Sequence, residues 1–499
     1  MKEIFQNNFK ILIILLIIML IGSILRIVYL DDNSFWTDEL LSICHSNNIN
    51  NLSTFFSPHC GNAHPPLYFL LLRFWSLGGE GEFYLRLLSV IFGILVIPTA
   101  YLLGRQFFDR KICLVGAFLV AISPFHMLYD REVRMYSLFT LLTIISLYFF
   151  IRALREEKSI FWIGYTIITI LNTYTHYHAF LIILLEWVFF IVRYKYYKHL
   201  LKKAIISQFI VAFCFSFWVQ SFLFHLKHSS VLGEDVTRFP TIFGAWIKPC
   251  YLFFSFSLGQ TIMPWNYKIV IPAIVIFSCT FIWGIKSMIK YKETLLFFLL
   301  SLFVPIFVGL FITDLMPRYF VFLAPIYYLI IAKGISSFPN IKVKVVSMII
   351  ITILLSFSLN NYYTGREFHI LANVDPWREV GMYLKENVIE EDIVFNIGGV
   401  PINYYTGFKI PILRENALEV LREDLQKKKF KKVWLIVSNT KYKRQGEDAI
   451  KWMNEHYHLI SEKRYLWDPD YTNKKKFFKK NFLEYRIKIY LYENRGGPK

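Results

Sequence analysis

Apolar runs near the length needed to cross a hydrocarbon core recur along this chain from residue 11 to residue 360, separated by short clusters of Lys and Arg. Inside a bilayer no water satisfies a backbone N–H or C=O, so such runs must form helices that close their own hydrogen bonds. The first, 11-ILIILLIIMLIGSILRIVYL-30, is too long for a signal-peptide core and no small-residue cleavage pattern follows it. It reads as a retained first helix. Hydropathy and loop charge place further spans near 83–104, 112–128, 135–151, 160–176, 178–192, 204–224, 268–285, 294–312, 319–332 and 345–360, about eleven in all. The composition agrees: 55% hydrophobic and 18% aromatic residues against 18% charged is no ordinary soluble protein.

Loop charge sets an orientation. Connectors carrying Arg105, Arg110 and Lys111, then Arg152, Arg155 and Lys158, then residues 193–203, 286–292 and 333–344 alternate with connectors poor in Lys and Arg. The positive-inside rule puts the basic set and the N-terminus in the cytoplasm. The opposite face then receives a loop over 31–82, turns near 130 and 177, the stretch 225–267, the turn 313-TDLMPRYF-320 and the C-terminal tail. Segment 243-FGAWIKPCYLFFSFSLGQ-260 is apolar but short and carries Lys248-Pro249, so it is expected to be interfacial or re-entrant. The net charge of +19, 55 basic against 36 acidic residues, sits mostly in loops and tail. It matches anionic headgroups of a lipid bilayer rather than nucleic acid.

From about residue 361 the pattern turns charged and mixed. Helices are expected over 375–387, 415–428 and 447–457, and strands over 392–397, 432–438 and 483–493. The expected architecture is an all-α polytopic membrane domain (1–360) with a functional outer loop (31–82), followed by a small extracytoplasmic α/β domain (361–499). Run 474-KKKFFKK-480 reads as a solvated or headgroup-facing loop. The six cysteines contain no CxxC. Cys44 and Cys60 share an outer loop and could pair in an oxidising compartment, whereas Cys113, Cys214 and Cys279 read as small core residues.

Chemistry concentrates on the outer connectors. In 34-SFWTDELLSICHSNN-48, residues Trp36, Leu40 and Ile43 recur at helical spacing, giving an amphipathic surface helix with Asp38 and Glu39 in its first turn and Thr37 as N-cap. Acids there complement the helix dipole, which is reason enough for them structurally. Yet no Lys or Arg occurs from Asp31 to Leu72, and His64-Pro65-Pro66 opens a second helix of the same loop. The turn 123-SPFHMLYDREVRMYSLF-139 packs Asp130, Arg131, Glu132, Arg134 and Tyr136 together; Arg131 and Arg134, three apart, could share a helical face, or a local Asp/Arg pair could hold the turn. Ionisable groups at a bilayer edge are costly unless they pair or bind something. Arg318-Tyr319 opens a late span, and 174-YTHYH-178 sets His176 and His178 at the end of another. A carboxylate pair with Arg, Tyr and His at headgroup depth suits group transfer from an anionic lipid.

The order TDE, HPPLY, REVRMY and RYF resembles the membrane glycosyltransferases of the GT-C fold over roughly residues 10–360. It is most similar to glycosyltransferase family 39, the protein O-mannosyltransferases and their bacterial relatives, and to the neighbouring lipid A aminoarabinose transferases. The resemblance implies a polyprenyl-phosphate-linked sugar as donor, inversion at the anomeric carbon, and Asp38 as general base. It implies that Glu39 orients the acceptor or helps hold a divalent metal ion, for which His176 and His178 are further candidates. Arg131, Arg134 and Tyr136 match a turn lining the donor site, Arg318 with Tyr319 a phosphate contact, and His64 belongs to the loop motif. Asp130 or Glu132 would be the secondary acid. The β-trefoil insertions of the eukaryotic members are not found; the α/β tail resembles the bacterial relatives. The implied enzyme moves a sugar to a hydroxyl on an envelope lipid, glycan or protein at the outer face of a bacterial-type cytoplasmic membrane. A lipid-linked sugar transporter or flippase is the rival reading, and it would place ionisable residues near the bilayer midplane. No nucleotide-binding Gly-rich loop is found.

Overall fold

The computed structural model describes residues 2–49, 64–228, 243–312, 315–364, 375–399, 401–438, 443–465 and 487–494. The chain divides into two compact units, residues 1–30 with 42–370, and residues 31–41 with 371–499. Residues 31–41, expected with the membrane domain, group with the tail.

The first unit is helical. Among the described residues, eight helices are long and apolar enough to span a bilayer: Phe9–Ile27, Glu82–Gly104, Tyr136–Glu156, Tyr194–Ser216, Tyr267–Met288, Lys292–Phe311, Pro317–Ser337 and Ile341–Thr364. A bent pair makes nine. The expected spans 160–176 and 178–192 form as apolar helices of 15 and 14 residues, Ser159–Thr173 and Ala179–Val192. We label the elements that build the site α1 (Lys2–Ile27), α2 (Thr37–Asn47), α3 (Leu67–Trp75), α4 (Glu82–Gly104), α5 (Arg110–Ala121), α6 (Pro124–Asp130), α7 (Tyr136–Glu156), α8 (Ser159–Thr173) and α9 (Ala179–Val192). Over Phe9–Ile27 helix α1 is apolar apart from Lys10, Ser23 and Arg26 and leaves Leu12, Leu16 and Leu20 exposed, as a lipid-facing helix does. By contrast α7 is buried over most of its length.

The segment expected as one span over 112–128 is instead the bent pair α5–α6, turned by 56°. The local chemistry dictates the break. Ser123 takes an extended backbone and its Oγ accepts from His126 N–H at 3.1 Å, while Pro124 occupies the first helical position. A break in a membrane helix frees carbonyls that must find donors. Arg26 of α1 supplies them, donating from Nη1 to Ala121 O at 2.8 Å and from Nη2 to Val120 O at 3.4 Å.

Segment 243–260 forms a helix over Phe243–Leu258, ended by Gly259 in the left-handed region at φ 64°. Its apolar part, Ile247–Leu258, is shorter than a span, and Leu252 and Phe256 are buried. Cys113 is buried as expected and Cys214 half-buried, but Cys279 is exposed on its span. It lies on a face turned outward from the helix packing. Cys60, and with it any pairing to Cys44, lies outside the described residues, as does run 474–480.

The second unit carries a five-stranded sheet in the order β2-β1-β3-β5-β4, with β1 Ile393–Ile397, β2 Ile412–Leu413, β3 Lys432–Ser438, β4 Tyr457–Tyr465 and β5 Ile487–Asn494. Strand β1 runs parallel to β2 and β3, whereas β5 is antiparallel to β3 and β4. The run of β3 is apolar at successive positions because both sheet faces are covered. Val433, Leu435 and Val437 pack with the helices Ala417–Lys427 and Lys443–His456, while Trp434 and Ile436 pack with Trp377–Asn387 on the other face. Strands β2 and β4 were not expected: β2 has two residues, and β4 is an exposed edge strand with little apolar alternation.

Candidate active site

In the second unit, Phe35 is fully buried. Its N–H donates to the Tyr405 hydroxyl, its ring meets that of Tyr404 at 5.4 Å, and Ser34 Oγ accepts from Arg378 N–H at 3.0 Å. These contacts fix the entry to α2. The helix begins at Thr37, so Trp36 rather than Thr37 stands at the cap position. Glu39, three residues on, reaches back and accepts the Trp36 N–H at 3.2 Å, the carboxylate half of a capping box. The adjacent acids are thereby divided. Glu39 is 1% exposed and committed to the helix start, whereas Asp38 remains partly exposed.

In the first unit, the chain leaves α1 through a knot of donors. Arg86 of α4 donates to Leu30 O at 2.9 Å, Arg131 donates to Val28 O at 2.8 Å and to Tyr29 O, and the Tyr363 hydroxyl donates to Leu25 O. Arg131 also lies over the rings of Tyr362 and Tyr363 at 5.2 and 5.4 Å. It therefore closes the carboxyl end of α1. Asp130 is fully buried and accepts from Arg26 Nε at 2.7 Å, with His126 Nδ1 at 2.6 Å. The expected local Asp/Arg pair is replaced by one spanning 104 residues of sequence. Both Asp130 and Arg131 thus serve internal contacts.

Residues 131–135 form a turn between α6 and α7, so Arg131 and Arg134 do not share a helical face. Arg134 goes the other way. Its Nη1 donates to Ser42 Oγ at 3.0 Å, its guanidinium lies 5.8 Å from the Tyr136 ring centroid, and its carbonyl accepts from Ser89 Oγ at 3.1 Å. Ser89 is in turn bonded to the Tyr68 hydroxyl at 2.7 Å, tying the turn to α3 and α4. Glu132 is 5% exposed and its carbonyl accepts the Arg134 N–H at 2.7 Å.

Around Arg134 the scattered histidines converge. Leu67 N–H donates to Tyr174 O at 2.9 Å, joining the start of α3 to the turn between α8 and α9. The His64 ring consequently lies 5.4 Å from that of His176, which is 4.8 Å from that of His178. Tyr319 closes the group at 5.7 Å from His176, 5.6 Å from His178 and 6.4 Å from Tyr136, with Arg318 over its ring at 5.2 Å. Burial holds the His64 imidazole well below the ordinary histidine range, and the positive charges of Arg134 and Arg318 push the same way. Burial likewise lowers His176, and lowers His178 to about 4. All three are neutral at pH 7.

His176 Nδ1 accepts the His178 N–H at 3.1 Å, which places its own proton on Nε2. That Nε2, His64 Nδ1, His178 Nε2 and the Tyr136 hydroxyl are buried and have no hydrogen-bond partner among the described residues. A buried group left unmatched costs about 1–3 kcal/mol, and several gather at this one place. Nearby guanidinium charge and a tautomer-fixed N–H favour an anion. A metal fits less well: among the described residues no three of His, Cys, Asp and Glu come together in a way that could hold one.

Sequence reasoning did not single out Arg26, Arg86, His126 or Glu186. Arg26 stood in an apolar run, which was signal enough. Glu186 of α9 is buried, accepting from Tyr165 Oη at 2.7 Å and Ser146 Oγ at 3.2 Å beside a cavity of about 10 Å³. It is buried among the helices.

Comparison with known proteins agrees with this layout. A helical membrane unit joined to a small α/β unit is the architecture of the GT-C membrane glycosyltransferases. Residues 63–222, less than half of the chain, match the family described as dolichyl-phosphate-mannose-protein mannosyltransferase, and the fold of the chain is the GT-C fold. Among solved structures it is similar to ArnT from Cupriavidus metallidurans in the apo state, at 9% identity and TM-score 0.61, covering 95% of this chain and 97% of that one. The same protein bound to undecaprenyl phosphate matches at 10% identity and TM-score 0.60, covering 97% and 99%. The archaeal oligosaccharyltransferase AglB from Archaeoglobus fulgidus, in complex with an inhibitory peptide and a dolichol-phosphate, matches at 12% identity and TM-score 0.58, covering 95% and 81%. At such identities the likeness is one of fold. No curated protein matches the chain by sequence.

Proposed function

We propose that this protein transfers a sugar from a polyprenyl-phosphate donor to a hydroxyl of an envelope lipid, glycan or protein, at the outer face of a bacterial-type cytoplasmic membrane. The observation that carries the reading is the buried group in which Arg134, Arg318, the Tyr136 hydroxyl and three neutral histidines meet. It suits a phosphate carrying one or two negative charges: the guanidiniums supply countercharge and His176 Nε2–H a directed donor. That similar folds have been solved with undecaprenyl phosphate or a dolichol-phosphate bound supports the choice of donor.

In the proposed step the acceptor oxygen attacks the anomeric carbon from the side opposite the phosphate. The carbon–oxygen bond to phosphate breaks, the acceptor proton passes to Asp38, and polyprenyl phosphate leaves with its charge held by Arg134 and Arg318. The anomeric configuration inverts. Asp38 suits the base because it keeps some exposure, whereas Glu39 is engaged at the Trp36 N–H. Glu39 then acts by fixing the first turn of α2 on which Asp38 stands. The metal role considered for Glu39, His176 and His178 does not enter the step.

Mass spectrometry of envelope lipids and glycoproteins from cells with and without the gene names the sugar and the acceptor, and transfer by the purified protein is then measured. Asp38→Asn is expected to lower the rate by about 10²–10⁴-fold with donor affinity retained. Glu39→Gln, which keeps the capping oxygen, is expected to lose far less. Unchanged transfer by Asp38→Asn overturns the assignment.

A further inference from the structure

We propose that the second unit binds a short neutral carbohydrate segment in a cleft at the amino ends of β1 and β2. The inference rests on the glycosyl-transfer reading, to which it adds a recognition site for sugar outside the proposed reacting groups. The cleft holds about 480 Å³, inside the roughly 300–1,000 Å³ usual for small-ligand sites. It is framed by the segment leading into β1, the segment leading into β2 and the end of helix Ala417–Lys427.

Its chemistry is mixed in a particular way. Asp392 uses Oδ2 to accept the Trp434 indole N–H at 2.9 Å, while its Oδ1 is buried and has no hydrogen-bond partner among the described residues. Glu390 adds another carboxylate, Lys409 an ammonium, and Lys428 an ammonium paired with Asp424 at 2.9 Å. Phe408, half-buried, gives the same cleft an aromatic wall. A sugar hydroxyl can donate to a carboxylate and accept from an ammonium, and the C–H face of a pyranose packs on an aromatic ring. A phosphate would meet three carboxylates. An extended peptide adding as a strand would need a run of free backbone groups, and β2 offers two residues preceded by Pro411, which has no N–H.

The test uses the full-length protein in nanodiscs. Saturation-transfer NMR and Trp fluorescence titration are run with maltose, cellobiose, mannobiose and diacetylchitobiose, with glycerol as the polyol control and trilysine as the cationic peptide control. At least one disaccharide is expected to bind, with its dissociation constant raised at least about fivefold by Asp392→Asn and by Phe408→Ala, while undecaprenyl phosphate binding stays unchanged. Asp392→Asn retains an oxygen for the Trp434 N–H, so it remains decisive where Phe408→Ala misfolds. The proposal is overturned by no disaccharide exceeding glycerol, by binding that survives Asp392→Asn, or by Asp392-dependent binding of trilysine alone. Binding is read without turnover, so its failure is distinct from a failure of transfer in the Asp38→Asn assay.

Discussion

Gly93 of α4 holds the backbone close to the fully buried Arg26–Asp130 ion pair, and adding one methyl there is a sharp perturbation. A Cβ on Gly93 would lie 2.2 Å from Asp130 Cγ and 2.4 Å from both carboxylate oxygens, where ordinary contact begins at 3.4 Å. The carboxylate would have to retreat by about 1 Å. Its bonds to Arg26 Nε at 2.7 Å and His126 Nδ1 at 2.6 Å would stretch beyond hydrogen-bonding range. Breaking a buried pair costs about 3–5 kcal/mol, since each partner is left uncompensated. Alanine returns about 1 kcal/mol of helix propensity, so Gly93→Ala should destabilise by about 2–4 kcal/mol. Reversible detergent unfolding measures this, with Asp130→Ala as the second arm of a double-mutant cycle. With no carboxylate to displace, Gly93→Ala should be neutral or slightly stabilising in that background. A cost under about 1 kcal/mol in the wild-type chain, or an equal cost in both backgrounds, refutes the reasoning.

Two further outcomes follow from the division of the basic residues and from the histidines. Arg134→Gln and Arg318→Gln should each weaken undecaprenyl phosphate binding by about 10–100-fold, the worth of a hydrogen bond to a charged group, whereas Arg131→Gln should lower stability and leave donor affinity unchanged; isothermal titration and melting curves separate the two. The folded-state value of His178, about 4, lies below its ordinary 6.5, so the unfolded chain takes up a proton first. The stability is therefore full above pH 6.5 and is lost as pH falls towards 4, by up to about 3 kcal/mol for this residue. His176 and His64 act in the same direction. Melting curves from pH 8 to 4.5 should show this loss reduced in His178→Gln; an equal loss in that variant removes His178 as its source.

What could be read from residues alone was what depends on short stretches. Run length identifies α1, α4 and α7 as membrane helices because the bilayer demands it of each segment separately. The break at Ser123-Pro124 was written in the chain as a cap and a first-turn proline, yet an apolar window averages across both. The two strands that escaped notice, β2 and β4, lack a local signature: one is too short for alternation, the other is an exposed edge. Asp130 illustrates the harder limit. Its neighbours in sequence include Arg131, but its partner is Arg26, and only the packing of α1 against α5 and α6 brings that guanidinium to it. Sequence proximity is a poor guide to which charge neutralises which, because a side chain at a helix end can serve an adjacent turn or a distant carbonyl equally well.

The same logic separates residues that hold the site from residues able to act in it. A cation already satisfied by carbonyls, as Arg131 is by those of Val28 and Tyr29, would have to surrender those bonds to hold a phosphate. His176, whose Nδ1 is already an acceptor and whose Nε2–H points to no described partner, surrenders nothing when an anion arrives. Its neutrality matters for release as well as for binding. Three charged imidazoles beside Arg134 and Arg318 would hold a spent phosphate carrier too firmly for turnover, whereas neutral rings contribute directed hydrogen bonds without a full charge. On the proposed reading, burial, which favours the neutral form of these histidines, would let the site bind a lipid phosphate and still let it go. Charging them by acidification should slow carrier release before it weakens carrier binding.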